Sequence, residues 1–275
     1  FRTADDYRRL RGLTEAGDDF VVLGAGFIGA EIAAALARNG KDVTMVFPEA
    51  NVGGLMFPDV LARAVSAYYE AQGVSLLSGR KPSAVIDNHD GPVVHVEDGR
   101  QLRVTGVVAG LGIEPATDLA ENDELAVDDD IRVDEQLRTS RDDIFAAGDV
   151  ANFYNPALDC RLRVEHEDNA LTMGKAAGRN MAGADTAYDH LPFFYSDLFD
   201  VGYEALGQTD ASLRTVGRID DVSDQAVFFY LRDDRVCGLL FWNVFDQLDA
   251  GYELIRSQES HTEDELNDWA SKRLG

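Results

Sequence analysis

The first residues that suggest chemistry form a glycine-rich turn, GAGFIG, at residues 24–29. Gly24 would permit a tight turn, Gly26 would let the backbone approach a pyrophosphate, and Gly29 would let a helix lie close to a strand. The helix that follows offers free N–H groups and a positive dipole end to phosphates. The spacing therefore predicts a dinucleotide-binding turn, whose cofactor-binding residues include Gly24, Gly26, Ile28 and Gly29.

The elements around this turn have the order strand, turn, helix, strand. Residues 20–23 form an apolar run, an alanine-rich helix is predicted to reach about Asn39, and residues 43–47 form the second strand. Gly40 is the predicted helix stop. A glycine turn that only packs two elements together is the alternative, and the surrounding pattern favours the dinucleotide site.

An acidic residue completes the pattern. Glu49 follows Gly29 by 20 residues, where a carboxylate accepts hydrogen bonds from an adenosine ribose. A carboxylate would repel a 2′-phosphate, and residues 50–59 contain no arginine. The sequence therefore predicts that Glu49 binds the cofactor and that NADH is preferred over NADPH.

A second informative stretch is SRDDIFAAGDV at residues 140–150. Residues 144–147 are predicted to form a short strand that ends at Gly148 and Asp149, on the usual ligand side of an α/β sheet. The glycine would let the chain approach a ligand and the aspartate would point into it. A helix predicted at residues 168–181 carries small residues at three- to four-residue spacing, and either a close ligand or a tight helix contact explains them.

One histidine lies among acids at the start of that helix. His166 is flanked by Glu165, Glu167 and Asp168. Nearby carboxylates favour a protonated imidazole, so we expect the charged form of His166 to be favoured. A solvated charge cluster at a helix start is the alternative.

Composition limits the partners. The 275 residues include 50 acids and 25 bases, for a net charge of −25. Such a surface repels nucleic acid and anionic membranes. Self-repulsion of this size would be relieved by salt, which leads to the hypothesis that the protein works at high ionic strength. An ordinary acidic cytosolic protein is the alternative.

The cysteines and the apolar runs limit the compartment. Cys160 and Cys237 are far apart and fit neither a redox pair nor a zinc site, so both are expected to be packing residues in a reducing compartment, the cytoplasm. No apolar run is long enough to span a bilayer, and no leader is recognisable, so no membrane insertion is expected. The length of 275 residues is enough for two domains, each with a core.

The remaining pattern outlines the domains. A helix from Pro58 to Gly73, a strand at residues 74–77, antiparallel strands over 84–104 with a turn at Asp98-Gly99, and a buried strand at 107–112 complete a nucleotide-binding domain. Gly112, at the end of that strand, is a predicted cofactor-binding residue. Residues 1–17, helix-compatible at Asp5 to Arg11, are predicted to be a connector.

The C-terminal residues predict an α+β domain. Strands are expected at 213–218, 226–231 and 236–242, a helix at 246–257, and a capping box at Thr262 before the last helix. An aromatic stripe is expected to be core or a dimer face rather than a cofactor site: Phe228, Phe229, Tyr230, Phe241, Trp242 and Phe245.

Together these motifs resemble the FAD-dependent pyridine nucleotide oxidoreductases, in particular the apoptosis-inducing-factor-like and ferredoxin-reductase-like branch. The resemblance covers nearly the whole chain. It rests on residues 1–7 (FRTADDY), 24–31 (GAGFIGAE), 47–49 (FPE), 147–149 (AGD), 164–170 (VEHEDNA) and 196–204 (SDLFDVGYE).

The resemblance implies roles for several residues. Phe27 and Glu31 would lie where the nicotinamide meets the flavin, Asp149 would hold the FAD ribityl chain, and Glu165 and His166 would line the isoalloxazine. Glu31, Glu165 and His166 are thus the predicted catalytic residues; Phe27, Glu49, Gly148, Asp149 and His166 join the predicted cofactor-binding set, with no metal ligand.

The sequence also departs from the pattern of the family that it resembles. Ferredoxin reductases tend to carry tryptophan at the positions of Glu167 and Tyr195, so an aromatic lid on the flavin is expected to be altered. The chain starts at Phe1 and holds one GxGxxG motif. We therefore expect that it lacks the N-terminal half of the FAD domain, and that flavin binding is weak unless that half is supplied by a truncated region or another chain.

The expected protein is α/β: a Rossmann-like NAD(H)-binding domain at 18–126, the C-terminal half of an FAD-binding domain at 127–188, and an α+β reductase- or dimerisation-type domain at 189–275. The resemblance implies an FAD-dependent NADH oxidoreductase that passes electrons to a ferredoxin- or rubredoxin-like iron–sulfur protein, a quinone or oxygen, and that forms a homodimer. The alternatives are an NAD(H)-responsive interaction protein of the apoptosis-inducing-factor type and a flavin-less NADH-binding fragment.

Overall fold

The computed structural model describes residues 1–122, 125–127 and 129–274; the predicted domain ranges also include residues 123, 124, 128 and 275, which lie outside the described residues. The helices are α1 Ala4–Ala16, α2 Phe27–Arg38, α3 Asp59–Ala71, α4 Asp118–Asn122, α5 Glu167–Met181, α6 Leu248–Ser257 and α7 Glu263–Ser271. The strands are β1 Asp19–Leu23, β2 Asp42–Phe47, β3 Ser75–Ser78, β4 Pro82–Ile86, β5 Val93–Val96, β6 Gln101–Arg103, β7 Gly106–Ala109, β8 Ile131–Arg132, β9 Ala151–Asn155, β10 Cys160–Arg163, β11 Phe193–Leu198, β12 Val201–Gly207, β13 Arg214–Val216, β14 Ala226–Arg232 and β15 Arg235–Trp242.

A parallel sheet of order β3-β2-β1-β7 carries the glycine turn. Both of its faces are covered, and its central strand β1 is accordingly apolar and buried from Phe20 to Leu23. Val22 and Met45 pack into the core that includes the buried alanines of α2, whereas Val21 and Val46 pack against the antiparallel sheet β4-β5-β6. The Rossmann-like prediction is confirmed, and the returning strand β7 ends at Ala109, before Gly112.

The segment predicted as a connector contains a full helix. α1 extends beyond the predicted residues 5–11, from Ala4 to Ala16, and begins at a capping box formed by Thr3 and Asp6. The backbone N–H groups of Arg2 and Thr3 donate to the Asp6 carboxylate, and these hydrogen bonds, with that from the Thr3 backbone the largest, lower the pKa of Asp6 to about 2. The cap therefore fixes the start of this helix.

The prediction of a strand at residues 144–147 is wrong. Phe145 makes an isolated antiparallel bridge to Arg138, and the segment folds back on residues just before it instead of joining the parallel sheet. The chain then turns through a 3₁₀ helix, Gly148–Val150, into the small sheet β10-β9-β8. Helix α5 packs against this region through Met173 and Ala177.

The C-terminal domain is an antiparallel sheet of order β11-β12-β15-β14-β13 with α6 and α7, which confirms the α+β prediction. The β14–β15 hairpin and the Thr262 capping box are as predicted. Phe228, Phe229, Tyr230, Phe241 and Trp242 are buried in the core. Phe245 lies beyond the end of β15 and is 51% exposed, so for that residue a core position is excluded and the alternative of a dimer face stays a prediction.

In the described parts of the chain, none of the helices has the length and apolarity needed to cross a bilayer. No group of three or more His, Cys, Asp or Glu side chains there is arranged to hold a metal ion.

Candidate functional site

The three glycines of the turn have different surroundings. Gly24 has φ +96°, and a Cβ there would lie 2.3 Å from the Gly110 carbonyl oxygen; a Cβ at Gly29 would lie 2.2 Å from the Gly24 carbonyl oxygen. Gly26 faces open space, with nothing within 4 Å of its Cβ position. Gly24 and Gly29 therefore meet backbone constraints, whereas Gly26 leaves room for a ligand.

The N-terminus of α2 is exposed beside this open space. Gly26 is its N-cap and makes no side-chain cap hydrogen bond, and the first turn contains no acidic residue. Ile28 is half-buried in this turn. Backbone N–H groups and a positive dipole end are therefore available to an anion.

Glu49 lies just beyond β2, half-buried beside the glycine loop 53–54. Its backbone carbonyl accepts a hydrogen bond from Gly79 N–H at 2.9 Å, which holds the residue in place. Arg80 comes directly after Gly79, and its side chain donates to the Asp98 carboxylate at 3.2 Å and to the Gly79 carbonyl. Among the residues that the structure describes, no arginine pairs with the Glu49 carboxylate, so its negative charge would repel a 2′-phosphate, in keeping with the predicted NADH preference.

These features border one cleft of about 390 Å³. The nucleotide-binding domain supplies the glycine turn, Phe27, Glu49, Gly112 and the loop at 53–57, while the C-terminal domain supplies the opposite lining, Ser196, Leu198 and Tyr203. Gly112 has φ +95° and is exposed. The sequence alone does not place these three C-terminal residues in the cleft. The family-like motif at 196–204 is the available signal, but its position depends on how the domains pack.

An aromatic cluster joins the cleft to the start of α5. The rings of His166 and Phe194 stack with centroids 4.0 Å apart and an interplanar angle of 11°. Phe27, which lines the cleft and is 41% exposed, contacts both edge-on, at 5.5 Å from His166 and 5.1 Å from Phe194. The structure thus brings together Phe27 and His166, which are distant in sequence.

The expected protonation of His166 is wrong. Burial lowers the pKa of its imidazole below the ordinary value of 6.5, and this outweighs the opposing influence of Glu165, Asp149 and Asp168. The carboxylates are close in sequence, but the stacked Phe194 and the edge of Phe27 remove water from the ring. His166 is therefore favoured as a neutral imidazole.

Asp149 and Glu165 are linked through arginines. Arg163 donates to the Asp149 carbonyl at 3.1 Å and pairs with the Glu165 carboxylate at 2.7 Å. Arg2 pairs with the Asp149 carboxylate at 3.0 Å. Gly148 has φ +79° and donates its N–H to the Met173 sulfur at 3.2 Å. Residues 148–149 and 165–166 therefore form a second cluster, beside the first.

Glu31 lies one turn after Phe27 on the same face of α2 and is exposed. Its carboxylate accepts a hydrogen bond from the Ser196 hydroxyl at 2.6 Å. Glu31 is thus at the edge of the cleft, and its partner comes from the C-terminal domain.

Residues 1–174 match the family described as pyridine nucleotide-disulphide oxidoreductase. The chain belongs to this family. Residues 177–226 match the C-terminal domain of mitochondrion-associated apoptosis-inducing factor.

Relatives of this oxidoreductase chain come from both branches of the resemblance. It is 31% identical to the putative apoptosis-inducing factor 1 of Drosophila melanogaster, over 98% of the chain and 44% of the relative. It is 33% identical to the ferredoxin–NAD(+) reductase component of the anthranilate 1,2-dioxygenase system of Burkholderia cepacia, over 92% of the chain and 63% of the relative. The chain spans about half the length of the apoptosis-inducing factors it matches.

Solved structures agree on the fold of this oxidoreductase chain. The ferredoxin reductase for the CYP199A2 system of Rhodopseudomonas palustris has a TM-score of 0.88 and 27% identity, over 96% of this chain and 65% of that one. Putidaredoxin reductase, in a covalent complex with putidaredoxin, has a TM-score of 0.83 and 29% identity, over 94% of this chain and 62% of that one.

The two cysteines, Cys160 and Cys237, are free. Cys237 is buried, and burial raises the pKa of its thiol.

The residues present fit two different parts of the cofactor set. The open space at Gly26 and the uncapped α2 N-terminus suit a dinucleotide pyrophosphate. For a flavin, the chain offers Asp149, Glu165, His166 and the N-terminus of α5, whose N-cap makes no side-chain hydrogen bond. These groups suit the ring and ribityl part of a flavin. The one GxGxxG motif of the chain, which suits a pyrophosphate, lies in the NAD(H)-binding domain.

Proposed function

We propose that this chain is the NADH-binding and C-terminal part of an FAD-dependent oxidoreductase that transfers electrons from NADH to an iron–sulfur protein. The observation that carries the proposal is the contact of Phe27 with His166. It brings a cleft suited to a dinucleotide next to a cluster suited to a flavin ring. We assign the NAD(H)-binding domain to residues 18–126, the partial FAD-binding domain to 127–188 and the C-terminal domain to 189–275, with residues 1–17 leading into the first.

In this proposal the pyrophosphate of NADH binds at Gly26 and the α2 N-terminus, and Glu49 accepts hydrogen bonds from the adenosine ribose. Ile28 and Gly29 keep the helix in position beneath it. Gly112 lines the same cleft and would border the bound dinucleotide. Repulsion by Glu49 disfavours a 2′-phosphate, so the protein would use NADH rather than NADPH.

A bound flavin would accept hydride from a nicotinamide that stacks on its ring. The protein positions the two partners: Phe27 and Glu31 lie at the nicotinamide side, while Glu165 and His166 lie at the flavin side. Neutral His166 offers one N–H donor and one nitrogen acceptor, and Asp149 would hold the ribityl hydroxyls. The stacked rings of His166 and Phe194 would keep water away from this contact.

The electron acceptor is proposed from the relatives. A ferredoxin reductase component and a reductase bound to putidaredoxin are similar to this chain, which supports an iron–sulfur acceptor of ferredoxin or rubredoxin type. A quinone or oxygen are the other acceptors. Disulfide substrates are disfavoured because Cys160 and Cys237 form no redox pair and the Cys237 thiol is buried.

A second function is favoured by the match of residues 177–226 to the apoptosis-inducing-factor domain. In that case NADH binding would change the oligomeric state, for example to a homodimer, and turnover would be slow. The exposed side chains of Tyr195 and Phe245 would then be candidates for the contact surface. A change in sedimentation on adding NADH, without electron transfer to any acceptor, would favour this function over the reductase.

The habitat is proposed from charge. A net charge of −25 favours high ionic strength, because salt screens the self-repulsion of the folded chain. The two free cysteines favour a reducing compartment such as the cytoplasm. Nucleic acid is an unsuitable partner for so acidic a surface.

The decisive experiment is anaerobic addition of FAD and then NADH to the purified chain in high salt. Absorption at about 450 nm, which is typical of bound flavin, should appear on addition of FAD and then bleach with NADH. Bleaching supports the reductase. A colourless chain that still binds NADH would overturn the proposal for this chain alone and favour a nucleotide-binding fragment.

A further inference from the structure

The loop that follows Glu49 forms one wall of the cleft. This cleft loop, residues 51–57, lies between β2 and α3 and contains neither a helix nor a strand. A Cβ at Gly54 would lie 3.5 Å from the Glu49 Cβ, so the loop passes beside the acid. Leu55 is 73% exposed and lines the cleft, whereas Phe57 is buried. In the proposed function the cleft loop therefore faces the adenosine half of a bound dinucleotide.

The start of the cleft loop is held by its own domain. Gly53 donates its N–H to the Ala25 carbonyl of the glycine turn at 2.9 Å, and Val52 donates its N–H to the Ser66 hydroxyl of α3 at 2.9 Å. These hydrogen bonds fix residues 52 and 53. Glycine has more backbone freedom than any other residue type, so the part of the loop beyond residues 53–54 needs further support to keep one shape.

The far end of the cleft loop is held by the C-terminal domain. Tyr230 of β14 donates its hydroxyl hydrogen to the Met56 carbonyl at 2.8 Å, and the two residues are 174 positions apart in the chain. Ala211 donates its N–H to the Leu55 carbonyl at 3.0 Å. The two consecutive carbonyls that follow Gly54 thus both accept hydrogen bonds from the C-terminal domain.

The surroundings of Tyr230 fix the place and the state of its hydroxyl. The side chain is fully buried, and burial raises the pKa of the phenol, so Tyr230 stays neutral and keeps its hydrogen. A buried hydroxyl without a partner would lose its hydration for nothing, and the Met56 carbonyl supplies the partner. Strand β14 is paired with β13 on one side and β15 on the other, which holds the ring in position.

Given the proposed function, on which this inference rests, we propose that Tyr230 is a positioning residue whose hydroxyl holds the cleft loop in the shape that receives the adenosine half of the dinucleotide. Ordering a mobile loop on binding costs affinity, and a loop that is already held avoids this cost. A residue of the C-terminal domain thus sets the affinity of the adenosine end of the cleft through the loop. Tyr230→Phe removes this support alone, because it keeps the ring and its packing.

The test compares the two halves of the dinucleotide. We would titrate NAD⁺, ADP-ribose and nicotinamide mononucleotide into the wild-type chain and into Tyr230→Phe by calorimetry in high salt. Loss of one neutral hydrogen bond corresponds to about fivefold, so ADP-ribose and NAD⁺ should bind about fivefold more weakly to the variant. The affinity for nicotinamide mononucleotide should not change. Hydrogen exchange of the amides at residues 52–57 should be faster in the variant, since the loop opens more often.

Tyr188→Phe is the matched control. Tyr188 is also buried and donates its hydroxyl hydrogen to the Asn169 side chain at 3.0 Å, within the partial FAD-binding region. This variant should lose comparable stability in urea and change none of the three binding constants.

Other outcomes separate the explanations. If Tyr230→Phe also loses only stability, weakens all three ligands equally or leaves exchange at residues 52–57 unchanged, the inference is wrong while the proposed function stands. If the wild-type chain binds neither NAD⁺ nor ADP-ribose, the proposed function itself fails, and with it the role of Tyr230 in binding. Hydrogen exchange still decides in that case whether Tyr230 holds the loop.

Discussion

His166, at the N-terminus of α5, stacks on Phe194 of β11 with ring centroids 4.0 Å apart. The contact joins the partial FAD-binding region to the C-terminal domain, and Phe27 meets both rings from the nucleotide cleft. Three segments far apart in the chain therefore converge at the place where, in the proposed function, a nicotinamide would meet a flavin. The same contact removes water from His166 and sets its protonation.

Gly26→Val should abolish dinucleotide binding without unfolding the chain. A Cβ at this position meets nothing within 4 Å, and replacing an N-cap glycine by an apolar residue costs up to about 2 kcal/mol. The new side chain would occupy the space for the pyrophosphate, so NADH affinity should fall about 100-fold or more. Calorimetric titration checks this, with Gly12→Ala, also in open space in α1, as the control. Retained affinity would show that the phosphates bind elsewhere.

Gly29→Ala should destabilise the fold itself. Its Cβ would lie 2.2 Å from the Gly24 carbonyl oxygen, a backbone atom that cannot move away alone. Overpacking of this kind costs about 1–3 kcal/mol, measured as the free energy of unfolding in urea. Gly174→Ala is the matched control, because this helical glycine has open space and alanine there should stabilise by about 0.5–1 kcal/mol. Equal stability of both variants would contradict the close helix–strand packing.

Glu49→Gln should weaken the discrimination between NADH and NADPH. The amide keeps a hydrogen-bond acceptor for the ribose but no longer repels a 2′-phosphate. We expect the ratio of the two dissociation constants to narrow by about tenfold, which corresponds to about 1.4 kcal/mol. Glu70→Gln removes the same charge from an exposed position on α3 and should leave the ratio unchanged. A wild-type chain that binds NADPH as well as NADH would disprove the assignment.

Stability should fall as the pH drops below about 6.5 because of His166. Its folded-state pKa is lowered by burial from the ordinary value of 6.5, so on acidification the unfolded chain takes up the proton first. The stability contributed by the neutral ring is therefore present above pH 6.5 and is lost as the pH falls through the folded pKa. His166→Phe keeps a ring on Phe194 and should flatten this part of the urea-unfolding profile.

The control for the pH experiment is His89→Gln, since the His89 side chain is fully exposed. That variant should keep the wild-type slope. Direct titration of the His166 ring by NMR gives an independent check. A midpoint above 6.5 would mean that the neighbouring carboxylates, not burial, dominate.

Salt should stabilise the folded chain. The net charge of −25 is spread over 50 acids and 25 bases, and raising the ionic strength from 0.1 to 1 M shortens the Debye length from about 10 Å to about 3 Å. We expect the melting temperature to rise with KCl through this range. Sucrose does not screen charge, so at equal osmolality it should raise the melting temperature less. A melting temperature that is flat or falls with KCl would refute the high-salt hypothesis.

Much of the fold could be predicted from local sequence. The run from Phe20 to Phe47 alternates a buried strand, a glycine turn and an alanine-rich helix, and each of these depends on neighbours within a few residues. The β14–β15 hairpin and the Thr262 cap were predictable for the same reason. The strand expected at residues 144–147 was not, since a short apolar run does not indicate which partner it will pair with, and here it folds back on residues 137–139.

The sequence by itself determined the dinucleotide turn, the acid at Glu49, the domain types and the negative charge, because these depend on residue type and short spacing. Only the tertiary structure decided that Ser196 and Tyr203 line the cleft, that Ser196 holds Glu31, and that His166 is favoured as neutral. Each of these depends on the C-terminal sheet packing against α2 and α5, through contacts between residues separated by long stretches of chain. Carboxylates next to His166 were visible in the sequence, but the burial that outweighs them comes from Phe194, which only the folded chain brings there.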